Sequence, residues 1–75
     1  MKATVIVTLK PTVLDPQGMT IQRSLASIGL TDVSDVRQGK IFNLQVKDGN
    51  RDQVERLAKE VLTNPVIEEY RIIWE

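Results

Sequence analysis

The stretch ATVIVTLKPTVLDPQGMTIQRSLASIG, residues 3–29, contains the change of period that decides the fold. Ala3, Val5, Val7 and Leu9 alternate with Thr4, Ile6 and Thr8, and all but Ala3 and Leu9 are β-branched, which suits a pleated strand. Lys10-Pro11 ends that strand, because proline has no N–H for a ladder. Asp15 then stands as an N-cap, with Pro16 at the first helical position and Leu14 placed to staple against Met19. Ile21, Leu25 and Ile28 recur at helical spacing with Ala26 beside them, and Gly29 sits where a left-handed residue closes a helix. A first helix is predicted over about 16–28.

Outward from there, Val33 to Gln38 reads as a short strand, and Gln38-Gly39 as a two-residue turn into a strand from Lys40 to Val46. Phe42, Leu44 and Val46 share one face of it; Ile41, Asn43, Gln45 and Lys47 share the other. Asp48-Gly49-Asn50 breaks the strand, Asn50 is placed to cap, and Val54, Leu57, Ala58, Val61 and Leu62 form the stripe of a second amphipathic helix. Asn64-Pro65 stops that helix, and in the last strand Tyr70, Ile72 and Trp74 oppose Ile67, Glu69, Arg71 and Ile73.

The order β-α-β-β-α-β predicts an α+β fold: a ferredoxin-like plait, a four-stranded antiparallel sheet with two helices on one face, as a single domain over residues 1–75. Such a plait leaves the other sheet face open, carrying Thr4, Ile6, Thr8, Ile41, Asn43, Ile67 and Ile73. Ile6, Ile41, Ile67 and Ile73 are therefore candidates for a homo-oligomer interface, in a homodimer or tetramer, beside the plainer reading of scattered surface isoleucines. A chain of 75 residues and 8.5 kDa has little core of its own, and oligomerisation or a partner supplies further burial.

Composition narrows the chemistry. Ten basic side chains face ten acidic ones, and a net charge of zero lacks the surplus a general nucleic-acid binder needs. The absence of Cys and His removes disulfides, thiolate and imidazole metal sites, Cys nucleophiles and Ser-His-Asp triads. Met1-Lys2 leads straight into alternation rather than an apolar run, so no membrane partner is expected and a cytoplasmic location is.

A plait can serve many functions, so individual residues must discriminate among them. An RNA-binding version stacks bases on aromatics of the open face, yet Phe42 is the sole aromatic of the central strands and its parity is inward. A copper-carrying version needs two Cys that are missing. A phosphate-binding loop after the first strand would need backbone N–H groups, but residues 10–16 include two prolines, and Asp15 stands where the anion would sit. Glu68 and Glu69 point to opposite faces and cannot flank one bond; both read as solvated charges. Arg37, Gly39 and Lys40 cluster at the turn, suited to a phosphate, an acidic partner or plain solvation, and Val13 in the first loop has no internal role. Loop and turn are expected at opposite ends of the sheet, giving two separate contact regions. These residues describe an interaction module without a catalytic constellation, its partner open.

Val7-Thr8-Leu9-Lys10-Pro11 with Val13-Leu14-Asp15-Pro16-Gln17-Gly18, then Val36-Arg37 with Gly39-Lys40, and Asn64-Pro65-Val66-Ile67-Glu68 with Tyr70, closely resemble the PurS family. PurS is the small subunit of phosphoribosylformylglycinamidine (FGAM) synthase, and the likeness covers nearly the whole chain. Asp48-Gly49-Asn50-Arg51 is a sparer connection than the family's. The resemblance implies a subunit of an ATP-dependent glutamine amidotransferase ligase of purine biosynthesis, which replaces the amide oxygen of formylglycinamide ribonucleotide with nitrogen from glutamine. It implies no catalytic residue, cofactor or metal in this chain; ATP and Mg²⁺ belong to a large synthetase subunit, and the Cys nucleophile to a separate glutaminase subunit. The small subunit bridges these two and aids ammonia transfer. Together, resemblance and residues make Val13, Asp15, Gln17, Arg37, Gly39 and Lys40 candidate partner contacts. The alternative is a stand-alone dimeric module that binds a regulatory metabolite.

Overall fold

The computed structural model describes residues 1–47 and 50–75, so the expected break at Asp48-Gly49 lies outside the described residues. The elements are β1 (Lys2–Leu9), α1 (Pro16–Ser27), β2 (Gly39–Gln45), α2 (Arg51–Leu57), a π-helical turn (Ala58–Leu62) that continues α2, and β3 (Glu68–Trp74). β1 is central and antiparallel to both neighbours, in the order β2-β1-β3. Val5 lies between Phe42 and Ile72, and Ile6 between Ile41 and Arg71, so the faces assigned by alternation hold across the sheet.

The α+β class stands, but among the described residues the sheet has three strands where four were expected. Residues 31–38 form no ladder. Of these only Val33 and Val36, with Thr31, favour a strand, and at the end of the segment the Arg37 side chain and the Gln38 N–H bond to the first loop instead. There is accordingly no Gln38-Gly39 hairpin; Gly39 opens β2 directly opposite Thr8.

The helices differ in their relation to the sheet. Val54 and Ala58 of the second helix close a core with Ala3, Val5 and Val7, and Phe42, Leu44, Val46, Leu62, Tyr70, Ile72 and Trp74 pack around it half-buried. This helix leans toward β3: Arg51 lies 5.1 Å from the Trp74 ring centroid, and Tyr70 Oη donates to Glu55 Oε2 at 3.4 Å. Asn50 caps it as expected, accepting from Gln53 N at 3.3 Å. The π-helical turn adds a residue to the repeat, so Val61 rotates out of the predicted stripe and is 75% exposed.

By contrast, no residue of α1 joins this core, where both helices were expected on one face, and Met19 and Ile21 stay exposed. It projects with residues 28–38 as an arm, giving dimensions of 50 × 25 × 13 Å. Asp15 caps α1, Pro16 opens it, and Gly29 closes it at φ +88°. Leu14 is 76% exposed, so the expected staple to Met19 does not bury it. The Gln22 amide donates to the Ser34 and Val33 carbonyls at 2.8 and 3.4 Å and ties the returning segment along the helix.

Candidate functional site

The three segments that sequence reading singled out converge on one end of the sheet. The helix and the returning segment bring the chain back to the C-terminal end of β1, and β2 then runs antiparallel to it from Gly39 beside Thr8. The start of β2 therefore shares an end with the loop after β1, and the two separate contact regions expected from sequence are one.

Asp15 is the centre of this end. Its Oδ1 accepts from Gly18 N at 2.9 Å, and its Oδ2 accepts from Gln38 N at 2.7 Å, so the carboxylate caps α1 and holds the returning chain. The Gln38 and Gly18 N–H groups set its carboxyl below the ordinary value of 3.8, aided by Arg37 and opposed by burial. Arg37 donates to the Lys10 and Val13 carbonyls at 3.0 and 2.7 Å, so its guanidinium is a brace rather than the free charge expected of a solvated turn. Gly18 lies against the Val36 backbone, where an added Cβ would come 2.0 Å from the carbonyl oxygen.

The third segment joins by mutual bonds. Asn64 N donates to Glu68 Oε1 at 2.7 Å, Glu68 N donates to Asn64 O at 2.7 Å, and Asn64 Oδ1 accepts from Val66 N at 3.1 Å. Lys10 Nζ reaches the Pro65 carbonyl at 2.7 Å, and Lys40 Nζ lies 3.8 Å from Glu68 Oε2. Glu68 is thus a half-buried structural acceptor, not the solvated charge read from sequence; only Glu69 is exposed. Its spacing of four from Asn64, across a proline, was the signal available for this turn. Asp15, Gln17, Gln38, Gly39, Lys40 and Glu68 border a cleft of about 190 Å³.

Chemically, this end is a braced surface. Both oxygens of Asp15 and of Glu68 have partners, Arg37 faces carbonyls, and among the described residues no three carboxylates gather as a metal site. Val13, half-buried, and Gln17, Gly39 and Lys40, exposed, are the candidates that remain presented outward. The open face likewise keeps its isoleucines. Ile6 is flanked by Ile41 and Arg71, Ile73 pairs with Thr4 one row away, and Ile67 lies farther along beside Lys10.

The model of the PurS family, described as phosphoribosylformylglycinamidine (FGAM) synthase, matches residues 2–75. The chain is 41% identical over 75 residues to phosphoribosylformylglycinamidine synthase subunit PurS of Methanocaldococcus jannaschii, covering 95% of this chain and 90% of that one. Its fold superposes on Bacillus subtilis PurS with a TM-score of 0.88 at 39% identity, over 96% of this chain and 94% of the other. It also superposes on a chain in the structure of PurLQS from Thermotoga maritima, with a TM-score of 0.81 at 33% identity and 96% and 93% coverage.

Proposed function

The chain belongs to the PurS family, the small subunit of FGAM synthase in purine biosynthesis, and from that premise we propose that it holds the synthetase and glutaminase subunits together for ammonia transfer. It is a subunit of a ligase. Its share of the work is contact, because a chain without Cys cannot supply the thiolate of a glutaminase. The Thermotoga relative belongs to PurLQS, and by that likeness the partners of this chain are a PurL-type synthetase and a PurQ-type glutaminase. ATP and Mg²⁺ are assigned to the synthetase.

The observation that carries this reading is the convergence of the first loop, residues 36–40 and the Asn64–Glu68 turn into one braced end. A surface whose Asp15, Arg37 and Glu68 side chains are already engaged within the chain can meet a protein partner without rearranging them. Val13, Gln17, Gly39 and Lys40 supply the contact, while Asp15 and Arg37 fix the loop beneath it. Arg37 and both oxygens of Asp15 are already engaged within the chain and so leave little charge free to hold a small ligand, and this favours contact over the metabolite-binding alternative. The chain also pairs with itself as a homodimer or tetramer, and the Ile6, Ile41, Ile67 and Ile73 face is available to the larger assembly. No helix among the described residues is long and apolar enough to cross a membrane, and the cytoplasm is the location that goes with this role.

A pull-down with the tagged chain tests the reading. Recovery of both a synthetase and a glutaminase supports it, and weaker recovery with Lys40→Glu or Val13→Asp places the contact at the braced end. Recovery of neither subunit overturns it.

A further inference from the structure

We propose that the outer edge of β3 docks an extended segment of one of the larger subunits, which joins the sheet as an antiparallel strand reading acid, apolar, base. The proposal rests on the contact role of the preceding reading and names an element that makes the contact. Lys2 and Glu75 exchange backbone hydrogen bonds at 3.5 and 3.0 Å, and Lys10 N donates to Ile67 O at 2.9 Å. Bonded and non-bonded residues alternate in an antiparallel ladder, so Glu69, Arg71 and Ile73 bond to β1 while Tyr70, Ile72 and Trp74 turn their N–H and C=O groups outward. Among the described residues no strand covers that side of β3. Its pairing with β1 runs unbroken from Trp74 to Glu68, and it has neither the proline nor the bulge that commonly protects an exposed edge.

The ground beside this edge suits an added strand. Lys59, Thr63, Pro65, Glu68, Glu69 and Tyr70 border a groove of about 330 Å³ between the end of the π-helical turn and the start of β3. Thr63 in its wall is 7% exposed, and its hydroxyl has no hydrogen-bond partner among the described residues, a deficit that a polar group of an added segment would remove. The groove is continuous with the braced end, since Pro65 O accepts from Lys10 and Glu68 holds the Asn64 N–H. Charge selects the occupant. Glu69 and Arg71 are exposed on the open face, at the closely spaced, non-hydrogen-bonded positions of the new pairing, and neither forms an ion pair among the described residues. An incoming antiparallel strand meets Arg71, then Tyr70, then Glu69, which calls for an acid, an apolar residue beside the groove, and a base. A second copy of β3 does not supply this. The registers that engage both Tyr70 and Ile72 set Arg71 against Arg71, set Glu69 against Glu75, or require the Glu68 N–H that Asn64 O already holds.

Hydrogen exchange read residue by residue on the full chain, alone and with the synthetase and glutaminase subunits, tests the proposal beside recovery of those subunits on the tagged chain. In the free chain the Tyr70 and Ile72 amides are expected to exchange well ahead of Arg71 and Ile73, and in the complex to slow by about tenfold or more. Glu69→Arg with Arg71→Glu, which keeps the net charge, is expected to lower recovery while the free chain stays folded. Full recovery with the outward amides unchanged overturns edge docking and leaves the contact role standing. Outward amides already slow in the free chain show the edge occupied without a larger subunit and overturn the proposal. Undiminished recovery by the charge-swapped chain overturns the acid, apolar, base segment. Recovery of neither subunit by the unmodified chain overturns the contact role and the proposal with it.

Discussion

Asp15 accepts a 2.7 Å hydrogen bond from the backbone N–H of Gln38, 23 residues away, while its other oxygen caps α1 through Gly18. One carboxylate thus fixes where the arm leaves the sheet and where it returns. Its carboxyl sits below 3.8 chiefly because of the Gln38 and Gly18 N–H groups. A carboxyl lowered by folding contributes stability that is complete above its ordinary value and lost as pH falls through the lowered one. Asp15→Asn keeps a capping oxygen but loses the charge, so it is expected to unfold at lower urea than the unmodified chain near neutral pH. The gap should close as pH falls below about 4, and an unchanged gap down to pH 2 contradicts this account.

Gly18 and Gly29 are required for different reasons. Gly18→Ala places a Cβ 2.0 Å from the Val36 oxygen and must displace backbone, at about 1–3 kcal/mol of overpacking. Gly29→Ala meets nothing within 4 Å, and its expected cost of about 1 kcal/mol comes from holding an L-residue at φ +88°. Urea denaturation of both variants checks the order, and hydrogen exchange at Gln38 should quicken only for Gly18→Ala.

Glu68 and Lys40 form an unequal pair. Glu68→Ala removes a 2.7 Å acceptor from the Asn64 N–H and should cost about 1 kcal/mol. Lys40→Ala loses an ion pair at 3.8 Å whose lysine is 64% exposed, worth less than about 0.5 kcal/mol. Equal losses in thermal melts would mean that the ion pair, rather than the turn, holds this end.

The open face makes a prediction about assembly. Ile41→Asp is expected to leave the melting temperature of the isolated chain within a few degrees, because Ile41 is well exposed and outside the core, while sedimentation shifts toward smaller species. Unchanged sedimentation would leave Ile41 a surface residue outside the self-association face.

The two periods in the sequence made β1, α1, β2, the second helix and β3 legible, with both N-caps at the residues chosen for them. Residues 33–38 misled because two valines imitate a strand while Arg37 and Gln38 form long-range bonds that local pattern does not encode. Val61 misled because a π-helical turn changes the helical repeat without a mark in the sequence. At the candidate site Asp15 was legible as an N-cap, but its bond to Gln38 and those of Arg37 to Lys10 and Val13 were not. Their partners lie 23 to 27 residues away within the same chain, and only the fold brings them together.

The central claim is that this chain contributes contact and not chemistry to FGAM synthesis. Its most direct test is glutamine-dependent FGAM formation by the synthetase and glutaminase subunits, measured with and without the chain and beside the same reaction supplied with ammonia. Glutamine-dependent turnover is predicted to require the chain, ammonia-dependent turnover to proceed without it, and the chain alone to show neither. Full glutamine-dependent turnover by the two larger subunits in its absence would contradict the account.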